Sequence, residues 1–179
     1  ARYSQFAIAA SMEAVSSSEI DFNKEESEDI GVLLGSGSGG LPETEKENFQ
    51  MFKNNKNTVS PLYVPKMLPN MATSNISRLF KLEGYSNTVS TACAAGTQAI
   101  GEAAEVIKRG DAKVMIAGGA EAPFCETSLG GFCNMHALTS QNNNPKTASK
   151  PFDKNRDGFV PSEGSGVIIL ESLEHAIER

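Results

Sequence analysis

A chain of 179 residues, 39% apolar and 21% charged, is long enough to bury one sizeable core and too apolar for a disordered segment. A net charge of −6 argues against a nucleic-acid partner, and no apolar run approaches the roughly 20 residues needed to cross a bilayer. Cys93, Cys125 and Cys133 are too few and too unevenly placed for a disulfide framework, which points to a reducing compartment: the cytoplasm, or a plastid or mitochondrion in a eukaryote.

Phe6, Ile8, Ala9, Met12 and Val15 predict a helix over Tyr3 to Val15, and the polar stretch Ser16 to Asp29 reads as a connection. Ile30-Gly-Val-Leu-Leu34 is a continuous apolar run of the kind found in buried parallel strands, and Gly35-Ser-Gly-Ser-Gly-Gly40 follows it. A helix is expected over Glu43 to Lys53, its start delayed by Leu41-Pro42. Pro61 and Pro65 predict an extended Ser60 to Lys66. Met71, Ile76, Leu79 and Phe80 place another helix within Asn70 to Leu82. A β-rich run from Thr88 to Thr91 then gives way at Cys93 to a helix with Ala99, Ile100, Ala103, Val106 and Ile107 inside, closed by Lys108-Arg109-Gly110. Lys113 to Ala117 and Gly166 to Glu171 are further buried strands. Glu121 to Asn144 is mixed, and Pro145 to Pro161 is irregular. Short strands alternating with helices predict an α/β fold with a mainly parallel sheet. Helical patterns already running at Tyr3 and still running at Arg179 read as a segment of a larger domain.

The strand-to-helix turn at Cys93 carries the chemistry. A thiol there lies beside unpaired N–H groups and the positive end of a helix dipole, a setting that favours thiolate and stabilises a developing oxyanion. From periodicity alone, a small buried cysteine filling space is the commoner case, since free cysteine is among the most buried residue types. Other words mislead. Gly35, Gly37 and Gly40 spell the dinucleotide fingerprint, but no acidic residue follows at about 20 residues, so a turn that lets the backbone pass close to something is preferred. Asp153 to Gly158 begins like a calcium loop, yet Glu163 falls one place early, and a structural turn with Arg156 and Asp157 tied into the fold is expected. His136 and His175 make no convincing partner for Cys93, and Cys125 and Cys133 read as packing residues.

Six words in one order carry a resemblance: Gly35-Ser-Gly-Ser-Gly-Gly-Leu41, Ser60-Pro-Leu-Tyr-Val-Pro65, Pro69-Asn-Met71, Thr91-Ala-Cys-Ala-Ala-Gly96, Arg109-Gly-Asp-Ala-Lys-Val-Met-Ile-Ala-Gly-Gly-Ala-Glu121 and Lys150-Pro-Phe-Asp-Lys-Asn-Arg-Asp-Gly-Phe159. With them the chain resembles the β-ketoacyl-acyl-carrier-protein synthases, the type II elongating condensing enzymes of fatty-acid synthesis. The resemblance implies a thiolase-like fold of two βαβαβαββ halves with helices on both faces of each sheet. Residues 1–179 would be a single partial domain, most of the N-terminal half. The first strand, expected at the centre of the sheet, and the C-terminal half would be absent.

The resemblance also implies that Cys93 is the nucleophile that accepts an acyl group, with its backbone N–H as one oxyanion donor. Malonyl-acyl-carrier protein would then lose carbon dioxide and attack the acyl thioester, giving a 3-ketoacyl thioester two carbons longer. Ser38 stands where elongating enzymes often place an aliphatic gate residue, and Phe132 where an aromatic lines the acyl pocket. Two histidines and a lysine would come from the C-terminal half, so the segment alone is expected to be inactive. Acyl-carrier protein bearing acyl and malonyl groups is the expected partner, with Lys53, Lys56, Lys66 and Arg78 as candidate contacts. A homodimer is expected, paired through Thr88 to Thr91. No cofactor and no metal are expected. The same words allow a ketosynthase domain of a polyketide synthase, or a non-catalytic condensing-enzyme partner that binds carrier protein.

Overall fold

The computed structural model describes residues 1–179. Seven helices surround one sheet: α1 (Arg2–Ser18), α2 (Leu41–Lys53), α3 (Tyr63–Met67), α4 (Met71–Phe80), α5 (Ala95–Lys108), α6 (Glu126–Asn134) and α7 (Leu173–Glu178). The strands are β1 (Ile30–Gly35), β2 (Ser86–Val89), β3 (Val114–Glu121) and β4 (Gly164–Glu171), in the order β2-β1-β3-β4. β1 is parallel to β2 and to β3, whereas β4 runs antiparallel to β3.

Within this chain no strand stands between the two central strands. β1 and β3 are direct neighbours from Ile30↔Val114 to Gly35↔Gly119, so their ladder is closed. The free edges belong to β2 and β4. Both central strands are apolar on both faces, and each satisfies the other's backbone groups.

Alternation sorts the core into two layers. Val32, Leu34 and Ile116 meet Tyr3 and Ala7 of α1 and Ala72 and Ile76 of α4. Leu33, Met115 and Ala117 meet Ala99, Ala103 and Val106 of α5. Each of the larger aliphatics buried here contributes about 1.5–3 kcal/mol relative to exposure. Alanines on α5 bring its axis close to the sheet. At its first turn the approach is closer still, because a Cβ on Gly35 would overlap the Ala95 carbonyl group.

Several boundaries differ from the sequence reading. α2 begins at Leu41 with Pro42 in its first turn, where the missing N–H has no helical acceptor to lose. The same reasoning admits Pro65 as the third residue of α3, in the segment expected to be extended. β2 ends at Val89, earlier than Thr91, while β3 runs on to Glu121 because β4 pairs with it throughout. α6 falls in the stretch without a clear pattern, where two glycines dilute the helical signal. No helix is long and apolar enough to cross a membrane.

α7 is held by a polar cluster around the buried His175. His175 Nδ1 lies 2.8 Å from Glu171 Oε2 and its Nε2 lies 3.0 Å from Glu25 Oε2. Arg179 also engages Glu171 through two N–H groups. Burial opposes the charged ring, but the Glu171 and Glu25 contacts outweigh it and raise the His175 pKa above the ordinary 6.5. A raised folded-state pKa stabilises fully below the unfolded value and loses that contribution as pH rises through the folded one. His175→Gln is therefore expected to flatten the fall in stability above about pH 6.5, read from urea midpoints across that range. Parallel curves for the two proteins would remove the clasp.

Candidate active site at the Cys93 turn

Chain leaving β2 turns sharply before α5, and Cys93 sits in that turn, within the one-turn 3₁₀ helix Ala92–Ala94. Ala92 holds φ of 50°, a left-handed conformation that costs an alanine on the order of 1 kcal/mol. The Ala94 N–H donates to the Thr91 carbonyl at 3.1 Å and the Ala95 N–H to that of Ala92, and the Cys93 N–H is outside both bonds. A 14-residue helix then begins at Ala95, so the thiol stands at its positive end. Cys93 is exposed, which removes the alternative of a buried space-filling cysteine.

Opposite lies the glycine loop after β1. Register explains its partner: Gly35 pairs with Gly119, so Glu121, two residues further along β3, reaches the loop at residues 36–38. Glu121 Oε2 accepts from the N–H of Gly37 at 2.6 Å and of Ser38 at 3.2 Å. Oε1 accepts from the Ser38 hydroxyl at 2.6 Å and, more loosely, from that of Ser36 at 3.4 Å. The N–H groups that would cradle a phosphate in a dinucleotide site are thus filled by the protein's own carboxylate, and the fingerprint is a structural turn. Glu121 was missed in the sequence. The signal was present, since an acidic residue at the carboxyl end of a parallel strand lies where α/β sheets build sites.

Ser38, Cys93, Glu121 and Phe132 all line one open cleft of about 760 Å³, with Leu41 and Met135 adding apolar wall. That volume is within the range of small-molecule sites. Phe132 projects from α6 and packs edge-on against Phe159, ring centres 5.4 Å apart. α6 is itself fixed by Glu45 of α2, whose carboxylate accepts from the N–H groups of Glu126 at 2.9 Å and Thr127 at 2.5 Å. These bonds, Thr127 first, hold the Glu45 carboxyl below the usual glutamate range.

The remaining candidates fall outside this cleft. His175 belongs to the α7 cluster, and His136 is an exposed residue after α6 with φ of 54°. Cys133 is exposed and Cys125 is half-buried as the residue capping α6, so neither fills the packing role expected of it. In the calcium-like stretch, Asp153 accepts from the Asn155 N–H at 2.6 Å and Asp157 from the Thr139 hydroxyl at 2.8 Å, which ties the loop as a turn. Arg156 closes locally on the Asp153 carbonyl at 3.0 Å.

Solved structures share this architecture at full chain coverage. A type II polyketide-synthase ketosynthase, seen in complex with its acyl-carrier protein and bound to the hexaketide, superposes with a TM-score of 0.92 at 32% identity, over 99% of this chain and 45% of that one. A β-ketoacyl synthase from Burkholderia phymatum gives 0.89 at 34% identity, over 100% and 44%. Sheet, flanking helices and cysteine turn together define an α/β domain of the thiolase-like class. Residues 1–176 match the family described as Beta-ketoacyl synthase, N-terminal domain, and the chain belongs to that family. Among curated relatives, 3-oxoacyl-[acyl-carrier-protein] synthase 2 of Staphylococcus aureus is 43% identical over 99% of this chain and 44% of its own length. Its namesake in Synechocystis sp. is 42% identical over 99% and 43%. The chain thus spans less than half the length of these relatives.

Proposed function

We propose that the protein containing this chain is a 3-oxoacyl-acyl-carrier-protein synthase that elongates acyl chains in fatty-acid synthesis, with Cys93 as its acyl acceptor. The observation that carries the proposal is the exposed Cys93 thiol at the start of α5, facing a cleft of acyl-chain dimensions. Identity above 40% along the whole chain to fatty-acid enzymes supports it. In the first step the Cys93 sulfur attacks the carrier thioester. A new carbon–sulfur bond forms, the old one breaks, and the carrier thiol leaves with the proton that Cys93 gave up. The Cys93 N–H donates to the oxyanion formed on the way. In the second step the malonyl carbon–carboxylate bond breaks, carbon dioxide leaves, and the freed electron pair attacks the acyl carbonyl and expels the Cys93 thiolate.

The test uses the full-length gene product with acyl- and malonyl-acyl-carrier protein. A 3-ketoacyl product two carbons longer is expected, with the acyl group trapped on Cys93 when malonyl donor is withheld. An acyl adduct on any other residue would overturn the assignment. The polyketide neighbour gives a second reading some support. That reading requires several successive extensions on one retained chain, whereas fatty-acid elongation releases the product after each.

Carrier protein is the proposed partner, and Lys53, Lys56, Lys66 and Arg78, none of which forms an ion pair, are the proposed contacts for its acidic helix. Two copies are proposed to pair along β2, whose outer edge is free and whose Ser86 and Asn87 are exposed. Light scattering is expected to give twice the chain mass for the full-length protein, and a single-chain mass removes the dimer.

A further inference from the structure

We propose that Glu121 is a positioning residue for Cys93, because it pins the glycine loop on which the cysteine turn is seated. This rests on the acyl-transfer reading above.

The loop after β1 touches the chain on both sides of Cys93. The Ser36 N–H donates to the Val89 carbonyl at 3.2 Å, at the end of β2 where the turn departs. Gly37 lies against Ala92, since a Cβ built on it would stand 3.5 Å from the Ala92 Cα. Gly35 lies beneath Ala95. Residues 35–37 therefore support the chain before and after the thiol. Ala92 holds its left-handed φ of 50° at a cost, and such a residue persists only where its surroundings over-determine it.

A loop with glycines at 35, 37, 39 and 40 brings backbone close to the turn but has few side chains to fix it, and glycine loses the most freedom on ordering. Glu121 supplies the anchor. A carboxylate offers about four acceptor positions. Four donors fill them: the N–H groups of Gly37 and Ser38 and the hydroxyls of Ser38 and Ser36. No position is left for a substrate proton, so Glu121 acts through the loop. A Cβ built on Gly37 would also stand 3.0 Å from Glu121 Oε2, which places Gly37 between the carboxylate and the strained alanine. Loss of the carboxylate frees the loop, Ala92 relaxes toward negative φ, and the Cys93 sulfur and N–H lose their aim.

The experiment uses the full-length gene product and reads two reactions of one sulfur. Transfer from hexanoyl- and palmitoyl-acyl-carrier protein passes through an oxyanion and needs the aimed N–H. Alkylation by iodoacetamide expels iodide without an oxyanion, so it reports only that the thiol is reachable. Glu121→Ala is expected to lower kcat for transfer about a hundredfold with both donors, the factor carried by a misplacement near 1 Å or by one lost oxyanion donor, while KM and the alkylation rate stay within about threefold of wild type. Glu121→Gln keeps one oxygen for the two N–H groups and turns its amide toward hydroxyls that rotate to accept, so it is expected to retain transfer within about tenfold. Ala92→Gly adopts the left-handed φ without strain. Measured against Ala92→Gly alone, the Glu121→Ala loss is expected to shrink to about tenfold, because the strain of one left-handed alanine carries most of a factor of ten. Should Glu121→Ala fail to fold, Gly37→Ala tests the same contact. Residue 37 has no left-handed φ to strain an alanine, and the added methyl group presses the loop off the carboxylate. The same split between transfer and alkylation is expected.

Unchanged transfer in Glu121→Ala, parallel losses of transfer and alkylation, Glu121→Gln as slow as Glu121→Ala, or an undiminished loss beside Ala92→Gly would each overturn the positioning role. A wild-type protein whose Cys93 accepts neither acyl group brings down the acyl-transfer reading and this proposal with it. Acylation of the wild type together with any of the other results removes this proposal alone.

Discussion

Cys93→Ala is expected to abolish acyl transfer while leaving the fold intact. A nucleophile that forms the covalent intermediate has no substitute, and removal of such a residue costs on the order of 10⁴–10⁶ in rate. Cys93 is exposed and its side chain belongs to none of the buried clusters, so the loss of sulfur changes little packing. Stability is expected to stay within about 0.5 kcal/mol of wild type. The contrast between the two readouts is the informative part. Intact-protein mass after incubation with acyl donor reads the adduct, and a urea midpoint reads the fold. A variant that still gains an acyl mass would show that another residue, with exposed Cys133 the first to examine, accepts the chain. Cys93→Ser keeps the shape and offers a hydroxyl that does not ionise near neutral pH, so its transfer is expected to fall nearly as far.

The strands and the long helices were legible because their signals are local. β1 reads as the apolar run Ile30 to Leu34 and is buried at every residue, and α5 reads from its alanine and aliphatic stripe to the Lys108-Arg109-Gly110 stop. The turn at Cys93 was legible for the same reason, since strand residues, a thiol and a helix pattern are consecutive. What escaped were features made by two distant segments. Glu121 lies more than 80 residues from the loop it fills, and only the β1–β3 register brings them together. The glycine fingerprint misled on the same account, because its letters describe a loop of free N–H groups but not what occupies them. α3 and α6 escaped because a proline and two glycines weaken local helix signals, while tertiary contacts such as Glu45 at the start of α6 supply the missing stability. Strand order escaped because no local pattern says which strands are neighbours.

Gly35→Ala is expected to be among the most damaging small substitutions in the chain. Gly35 ends β1 directly beneath the first turn of α5, and an added Cβ would overlap the Ala95 carbonyl and crowd the Gly96 N–H. Both obstacles are backbone, so no side-chain rotation relieves them. Either α5 lifts away from the sheet or β1 shifts in its ladder. Lifting α5 separates Ala99, Ala103 and Val106 from Leu33, Met115 and Ala117. Overpacking of this kind costs about 3 kcal/mol, against a total stability of about 5–15 kcal/mol for a domain. Ala95 is two residues from Cys93, so the same lift moves the thiol relative to the Ser38–Glu121 wall. A displacement near 1 Å is enough to cost about a hundredfold in rate. Gly101→Ala, in the exposed middle of α5 with nothing around its added methyl group, is the matched control and is expected to stabilise by about 0.5–1 kcal/mol. Denaturant midpoints moving in opposite directions for these two glycines would show that contact with the sheet, and not helix propensity, governs where α5 places the cysteine turn. Equal midpoints would mean that the helix start is free to ride above β1, and the position of Cys93 would then need another cause.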